Sequence, residues 1–281
     1  MSYLDRVRFC QQWTPEDYRP FSIGEIRVGY IPHGLAGRLA DFGTVFAVAD
    51  NEIRLAAGLV DFDTRTNAVA EVLTRLAEAG DIGSLRNEPY PVLRRWHDVP
   101  LMTIDRRAAP VFGLRAFGVH LNGFVRRDDG LHMWVGRRSL NKPTGPGKLD
   151  HLVAGGQPYG LSIRENLIKE SAEEASIPSD LAERAVAAGM VSYVCRFTDG
   201  LRDDVCFCYD LEVPQDFTPV NSDGEVEEFF LWPIEKVMQT LQEGDAFKFN
   251  VALVIIDFLV RHGHIAPDHS DYQEIVEGLR L

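Results

Sequence analysis

The chain reads as an α/β protein: a mixed sheet with helices on both faces, preceded by a smaller α+β unit. Three observations set this expectation. Short runs rich in β-branched and aromatic residues alternate apolar with polar, several longer segments repeat apolar residues at helical spacing, and a glycine-rich turn joins the two patterns near the middle of the chain.

Residues 1–115 form the N-terminal unit. Residues 25–30 (EIRVGY) and 44–49 (TVFAVA) read as strands, and residues 65–79 as an amphipathic helix with Ala68, Val72, Leu73 and Leu76 inward. No chemistry stands out there. The second unit, residues 116–281, opens with GVHLNGFVRRDDGLHMWVGRRS, two strands joined by the turn Asp129-Gly130. Further strands are expected at residues 190–196, 204–211 and 227–231, and helices at 164–176, 234–243 and 247–262. The last helix (FKFNVALVIIDFLVRH) is largely apolar, yet too short and too interrupted by charge to span a bilayer, so it should pack on the sheet.

Composition bounds the function. With 281 residues the chain has length for two domains and a substantial core. Its net charge of −13 repels nucleic-acid backbones and anionic membrane surfaces, so neither is an expected partner and a small anion needs a local basic pocket. Cys10, Cys195, Cys206 and Cys208 form neither a CxxC pair nor a Cys/His metal pattern, which leaves reduced, buried thiols as the expectation. The start MSYLDRVRFCQQW lacks a basic leader followed by an apolar run, and no stretch reaches the ~18 apolar residues of a span. A cytosolic (cytoplasmic) protein is the default expectation.

The chemistry concentrates in GGQPYGLSIRENLIKESAEEASI, residues 155–177. Glu170, Glu173 and Glu174 stand at i, i+3 and i+4 and share one helix face. Such a face suits a hard divalent cation, Mg²⁺ or Mn²⁺, bound through carboxylates with water and substrate phosphate in the remaining positions. The plain alternative is a solvated acidic face. Glu165 lies about 140° around the helix from Glu170 and falls outside the set. Leu167, Ile168, Ala172 and Ala175 give the helix an apolar arc. Upstream, Arg137, Arg138, Lys142 and Lys148 are interleaved with Pro143, Gly145, Pro146 and Gly147, a basic loop in an acidic protein. Arg137 and Arg138 face opposite ways on a strand, so Arg138, with Lys142 and Lys148, is the expected diphosphate grip, against the alternative of ordinary surface cations.

With its first Gly laid on Gly155, the central segment resembles the Nudix hydrolase signature: Glu170, Glu173, Glu174 and Ile177 match. Leu161, Lys169, Ser171 and Ser176 depart from it. Lys169 replaces an arginine fork with a flexible point charge, and Ser176 replaces a helix-ending glycine, although Pro178 still stops the helix. The runs HLNGFV, RRSLNKPTGPGKLDHLVAGG, DGEVEEFFLW and FNVALVIIDFLVRHG extend the likeness to a branch with an N-terminal DUF4743-type domain, associated with thiamine pyrophosphokinase.

The resemblance implies a Nudix α/β/α sandwich over residues 116–281, a DUF4743-like domain over 1–115, a divalent metal, and diphosphate hydrolysis. For the branch it implies damaged thiamine diphosphate analogues, the oxo and oxy forms, cleaved to monophosphate and phosphate. It also implies catalytic roles for Glu173, Glu174 and a later glutamate, here Glu225 of DGEVEEF with Glu228 in reserve. Alternation puts Glu225 and Glu227 on one strand face and Val226 and Glu228 on the other. Glu225 or a helix glutamate would take the proton of the attacking water. Trp134, Tyr159, Phe197 and Trp232 are candidate surfaces for a flat heterocycle. His120, His132 and His151 read as neutral, hydrogen-bonded histidines. Other readings are hydrolysis of another nucleoside diphosphate derivative, or a non-catalytic ligand-binding module. An isoprenoid diphosphate isomerase shares the R-x-x-x-K-P-T-x-P-G loop but needs a cysteine that HLVAGGQPYG lacks, and a thiamine kinase needs a nucleotide loop absent here.

Overall fold

Two separate sheets and their cores organise the chain, and the computed structural model describes residues 1–281. The elements of the first part are α1 (Tyr3–Phe9), β1 (Tyr18–Ile23), β2 (Ile26–Pro32), α2 (His33–Leu39), β3 (Phe46–Val48), β4 (Ile53–Leu55), α3 (Phe62–Glu78), β5 (Pro89–Val92) and β6 (Met102–Asp105). β1 to β4 form a sheet in the order β2-β1-β4-β3, and β5 pairs antiparallel with β6. Phe21, Phe46 and Phe112 meet at ring separations of 5.8–6.0 Å in its core. α3 starts at a capping box between Asp61 and Thr64 and buries Val69, Val72, Leu73 and Leu76; Val69 rather than Ala68 faces inward.

The second part contains β7 (Arg115–Arg127), β8 (Gly130–Arg138), β9 (Leu149–Asp150), β10 (Val153–Gly156), α4 (Ile163–Ala175), α5 (Ser179–Ala182), β11 (Val186–Phe197), β12 (Gly200–Glu212), β13 (Val226–Pro233), α6 (Ile234–Glu243), α7 (Phe249–Arg261) and α8 (Tyr272–Gly278). The sheet runs β11-β12-β7-β8-β13, with β10 on β7 and β9 on β8, and β12 lies parallel to β7. Alternation along β8 sends Met133 and Val135 to one face and Trp134 to the other. The first face packs on α6, α7 and α8; the second packs on α4 and α5. The expected α/β/α sandwich on a mixed sheet is what forms. α7 is buried continuously from Asn250 to Leu259, which explains its apolar sequence without a membrane, and no helix is long and apolar enough to cross one. All four cysteines are free and buried, and Cys206 and Cys208 point to the same side of β12.

Two expectations change. Arg127 pairs with Gly130, so the hairpin turn is Asp128-Asp129, and Gly130, at φ +124°, is the first residue of β8. Helix α1 leaves the N-terminal unit: Tyr3, Leu4, Val7 and Cys10 join the core of α7 and α8, and Arg6 Nε donates to Leu241 O at 2.8 Å. Residues 1–115 are therefore not one packing unit, because the amphipathic face of α1 finds its partner across the chain.

Asp210 on β12 ties the sheet to α7. Its carboxylate accepts from Arg261 Nη2 at 3.0 Å, from Asn122 Nδ2 at 3.1 Å, and lies 3.0 Å from His262 Nε2. Burial alone would raise this carboxyl, but the hydrogen bonds from Arg261 and His262 outweigh burial and hold it below its ordinary value. Its stabilisation is thus present above the unfolded value and lost as pH falls through the lowered folded one. Asp210→Asn should cost about 2 kcal/mol at neutral pH, read by urea unfolding, and its deficit against wild type should shrink as pH drops below about 4.

Candidate active site

The site is built where α4 lies on β10. Ser162 and Glu165 form a capping box at the start of α4, so the Glu165 carboxylate is bound to the helix end and turned from the acidic face, as its spacing requires. Leu167 is buried, Asn166 Nδ2 donates to Gly156 O at 2.9 Å, and Ala154 N donates to Glu174 Oε2 at 2.8 Å. A side chain on Gly155 would collide with Glu170, and one on Gly156 would collide with the Tyr90 hydroxyl. Only glycine permits both approaches. At the far end Ser176 takes the left-handed conformation (φ 51°, ψ 36°) that glycine would adopt with less strain, and its hydroxyl donates to Val220 O at 2.7 Å.

Glu170, Glu173 and Glu174 share the helix face but differ in setting. Lys169 Nζ stands 3.1 Å from Glu170 Oε1 and 2.6 Å from Glu173 Oε2. Burial raises the Glu170 carboxyl above its usual range. Glu174, only 5% exposed, is pushed up to about 8, first by burial and then by the charges of Asp150 and Glu170, against the opposing Ala154 amide and Lys142. No group of three His, Cys, Asp or Glu side chains is gathered closely enough to hold a cation, with Lys169 standing between two of the expected ligands. In donor chemistry the trio still fits a hard divalent cation: the oxygens are carboxylate, and Glu174 is buried with too little positive charge beside it.

The expected diphosphate grip is corrected for two residues. Arg138 is buried and its donors are engaged: Nη1 to Asp150 Oδ2 at 2.7 Å, Nη2 to Thr144 O at 2.9 Å, and Nε to Thr144 O and Gly145 O at 3.2 Å. It shapes the loop from within. Lys148 donates to Asp245, to O at 2.6 Å and to Oδ2 at 2.8 Å, and does not line the cavity. Lys142 does line it and is ion-paired with Glu225, which precedes β13. A bulge between Val226 and Glu228 breaks the expected alternation there; Glu227 accepts from the Leu140 amide at 3.1 Å and Glu228 is exposed. His120 and His151 are hydrogen-bonded at 2.9 Å, with His120 kept neutral by burial.

The four expected aromatic surfaces also lie elsewhere. Trp134 is in the core under α4, Tyr159 packs on Phe62, Phe197 stacks on Phe249 at 4.5 Å, and Trp232 packs on Phe230. The rings that line the cavity are Tyr90 and Phe117. The cavity, of about 220 Å³, runs from Gly155-Gly156 to the basic loop, and its walls carry seven cationic side chains and four carboxylates in a chain of net charge −13. Arg86, Arg106 and Arg107 come from the N-terminal part, where the sequence had shown no chemistry; Arg202 and Lys248 come from β12 and the start of α7.

Residues 2–116 match the family model described as a domain of unknown function (DUF4743), and residues 117–252 match the NUDIX domain. Nudix hydrolase 24, chloroplastic, of Arabidopsis thaliana is 44% identical over 282 residues, an alignment covering 99% of this chain and 77% of that protein. The chain belongs to the Nudix hydrolase family. Nudix hydrolase 20, chloroplastic, of the same plant is 42% identical, again covering 99% of this chain and 77% of its own. The MutT protein of Methanosarcina mazei Go1 overlays more loosely, with 21% identity, a TM-score of 0.40, and coverage of 54% of this chain and 96% of that one. This Nudix hydrolase is accordingly an enzyme of the diphosphate-hydrolysing class, in a family whose members use divalent metals. The expected cytosolic location is corrected: both plant relatives are named chloroplastic, and a cellular address is read by receptors rather than fixed by a folded domain.

Arg138→Ala should behave as a folding defect, costing about 3–5 kcal/mol because it strands Asp150 in a buried place. Lys148→Ala should stay within about 1 kcal/mol of wild type. Equilibrium unfolding in urea measures both.

Proposed function

We propose that this Nudix hydrolase cleaves the diphosphate of a small substrate with a compact cyclic headgroup, and that damaged thiamine diphosphates, the oxo and oxy forms, are its substrates. The observation that carries the reading is the cation-rich crevice running up to Gly155-Gly156 beside the acidic face of α4. A surplus of cations attracts a diphosphate and disfavours a positively charged thiazolium, whereas the oxo form has lost that charge. The oxy form exchanges an amino donor for a carbonyl acceptor. Each unpaired group in a desolvated pocket costs about 1–3 kcal/mol. The cavity volume is at the small end for ligand sites, which favours such a headgroup over a dinucleotide.

In this reading Glu170, Glu173 and Glu174 hold a divalent cation, Mg²⁺ or Mn²⁺, whose chemistry when bound is to neutralise phosphate charge and acidify a water. Lys169 gives up its hold on Glu170 and Glu173 as substrate and cation arrive. Lys142 leaves Glu225 to grip a phosphate oxygen as a point charge. Glu225, so released, accepts a proton from the attacking water. Glu174 positions the site through its bond to the Ala154 amide. Residues 1–115 and 116–281 act as two units, the first walling the crevice that the second opens.

Glu174→Gln and Glu173→Gln should each lose most hydrolysis while keeping the fold, since the amide keeps shape and removes charge. Glu165→Gln should retain activity. Phosphate release in Mg²⁺ or Mn²⁺ compares the three, and full activity in both site variants would reject the metal assignment.

Lys142→Ala should raise KM about tenfold, the value of a charge-assisted contact of roughly 1.5–3 kcal/mol. The substrate is tested by a panel of thiamine diphosphate, its oxo and oxy forms, isoprenoid diphosphates, nucleoside diphosphate sugars and dinucleotides. The damaged forms should show the highest kcat/KM. Equal rates on all three thiamine compounds, or a better nucleoside diphosphate sugar, would reject the substrate and leave the diphosphatase class standing.

A further inference from the structure

Arg106 follows β6 in the N-terminal unit, far in sequence from the acidic helix, yet it reaches the strand that opens it. A β-carbon built on Gly156 would lie 3.3 Å from Arg106 Cζ, beside the Tyr90 hydroxyl. The guanidinium is tethered on one side only: Nη1 donates to Glu88 Oε2 at 3.0 Å and Oε1 at 3.3 Å, and Cζ sits 5.6 Å from the Tyr90 ring centre. Nε and Nη2 have no partner in the protein, and the side chain is 49% exposed toward the crevice. A planar fork with one arm anchored and the others free is arranged for a tetrahedral oxyanion.

Other groups on the cavity wall also lack partners. Lys248 is buried at the start of α7, and its surroundings act on it through charge alone: burial lowers its ammonium to about 8, Asp150 pulls it up, and Arg138 and Arg202 push it down. Asn250 Oδ1 and Arg107 Nε are buried with no hydrogen-bond partner in the protein. Polar groups left in this condition cost free energy unless something fills the space between them.

We propose that Arg106 is a substrate-binding residue of the active site, gripping a phosphate oxygen beside Gly156, with Lys248 as a second cation on the cavity wall. The N-terminal unit thus supplies part of the anion site, and the catalytic half alone holds an incomplete one. The assignment deepens the diphosphatase reading and rests on it for the identity of the anion.

The test uses the full chain, free of metal, titrated calorimetrically with inorganic pyrophosphate. Wild type should bind, Arg106→Gln should bind at least tenfold more weakly, and Arg106→Lys should recover part of the loss, with thermal melting confirming that each variant is folded. In wild type, pyrophosphate should protect Arg106 from phenylglyoxal, read by peptide mass spectrometry, a measurement that needs no variant. Failure of wild type to bind, unchanged binding in Arg106→Gln, or equal labelling of Arg106 with and without pyrophosphate would overturn the assignment. Pyrophosphate binding through Arg106 in a protein that hydrolyses no diphosphate of the panel would leave the anion site standing and reject the enzymatic reading.

Discussion

Two α-carbons without side chains set the geometry of the whole site. Gly155 admits the Glu170 carboxylate from α4, and Gly156 admits Tyr90 and Arg106 from the other half of the chain. A β-carbon at either position would push the acidic helix off its strand or push the N-terminal wall off the catalytic sheet. The bonds from Asn166 to Gly156 and from the Ala154 amide to Glu174 depend on the same separation. Backbone approach, rather than any single ion pair, brings the anionic and cationic groups within reach of one another.

Charge is then distributed by that approach. The protein is strongly acidic, yet its crevice is lined mainly by cations, and each buried charge there has a different degree of compensation. Arg138 and Asp150 are matched and act as scaffold. Lys142 with Glu225, and Lys169 with Glu170 and Glu173, are matched only in the resting arrangement, since the ammonium ends of these side chains are mobile in a way that a guanidinium fork is not. Glu174 and Lys248 are matched poorly, which is why burial shifts both toward their neutral forms. Poor compensation at a cleft is a property of groups waiting for a ligand.

Much of the fold was legible in the sequence because it is written in period and punctuation. α4 follows from its helical spacing, its Ser162 cap and the glycines before it, and α7 from an apolar run too short for a membrane. The acidic face was readable because all its members sit on one local element. The cation site was not, because its members are scattered: Arg106 and Lys248 come together only through tertiary packing. Arg138 misled for the same reason, as sequence displays its charge but not the Asp150 that consumes it twelve residues later. The aromatic candidates misled because large rings are usually core, and here they are. The β13 bulge erased an alternation that a regular strand would have kept.

The seating of α1 changes how the N-terminal unit is attached. Residues 3–10 are embedded among α7 and α8, and residue 115 runs straight into the central strand β7. Everything between is a loop of chain clamped at both ends to the catalytic body, an insertion rather than a lobe on a single leash. A lobe on one hinge swings freely, whereas a segment with two fixed ends retains only a rocking motion about the line between them. The mouth of the crevice is thereby held to a narrow range of widths, and a substrate must be small enough to enter without the wall moving aside.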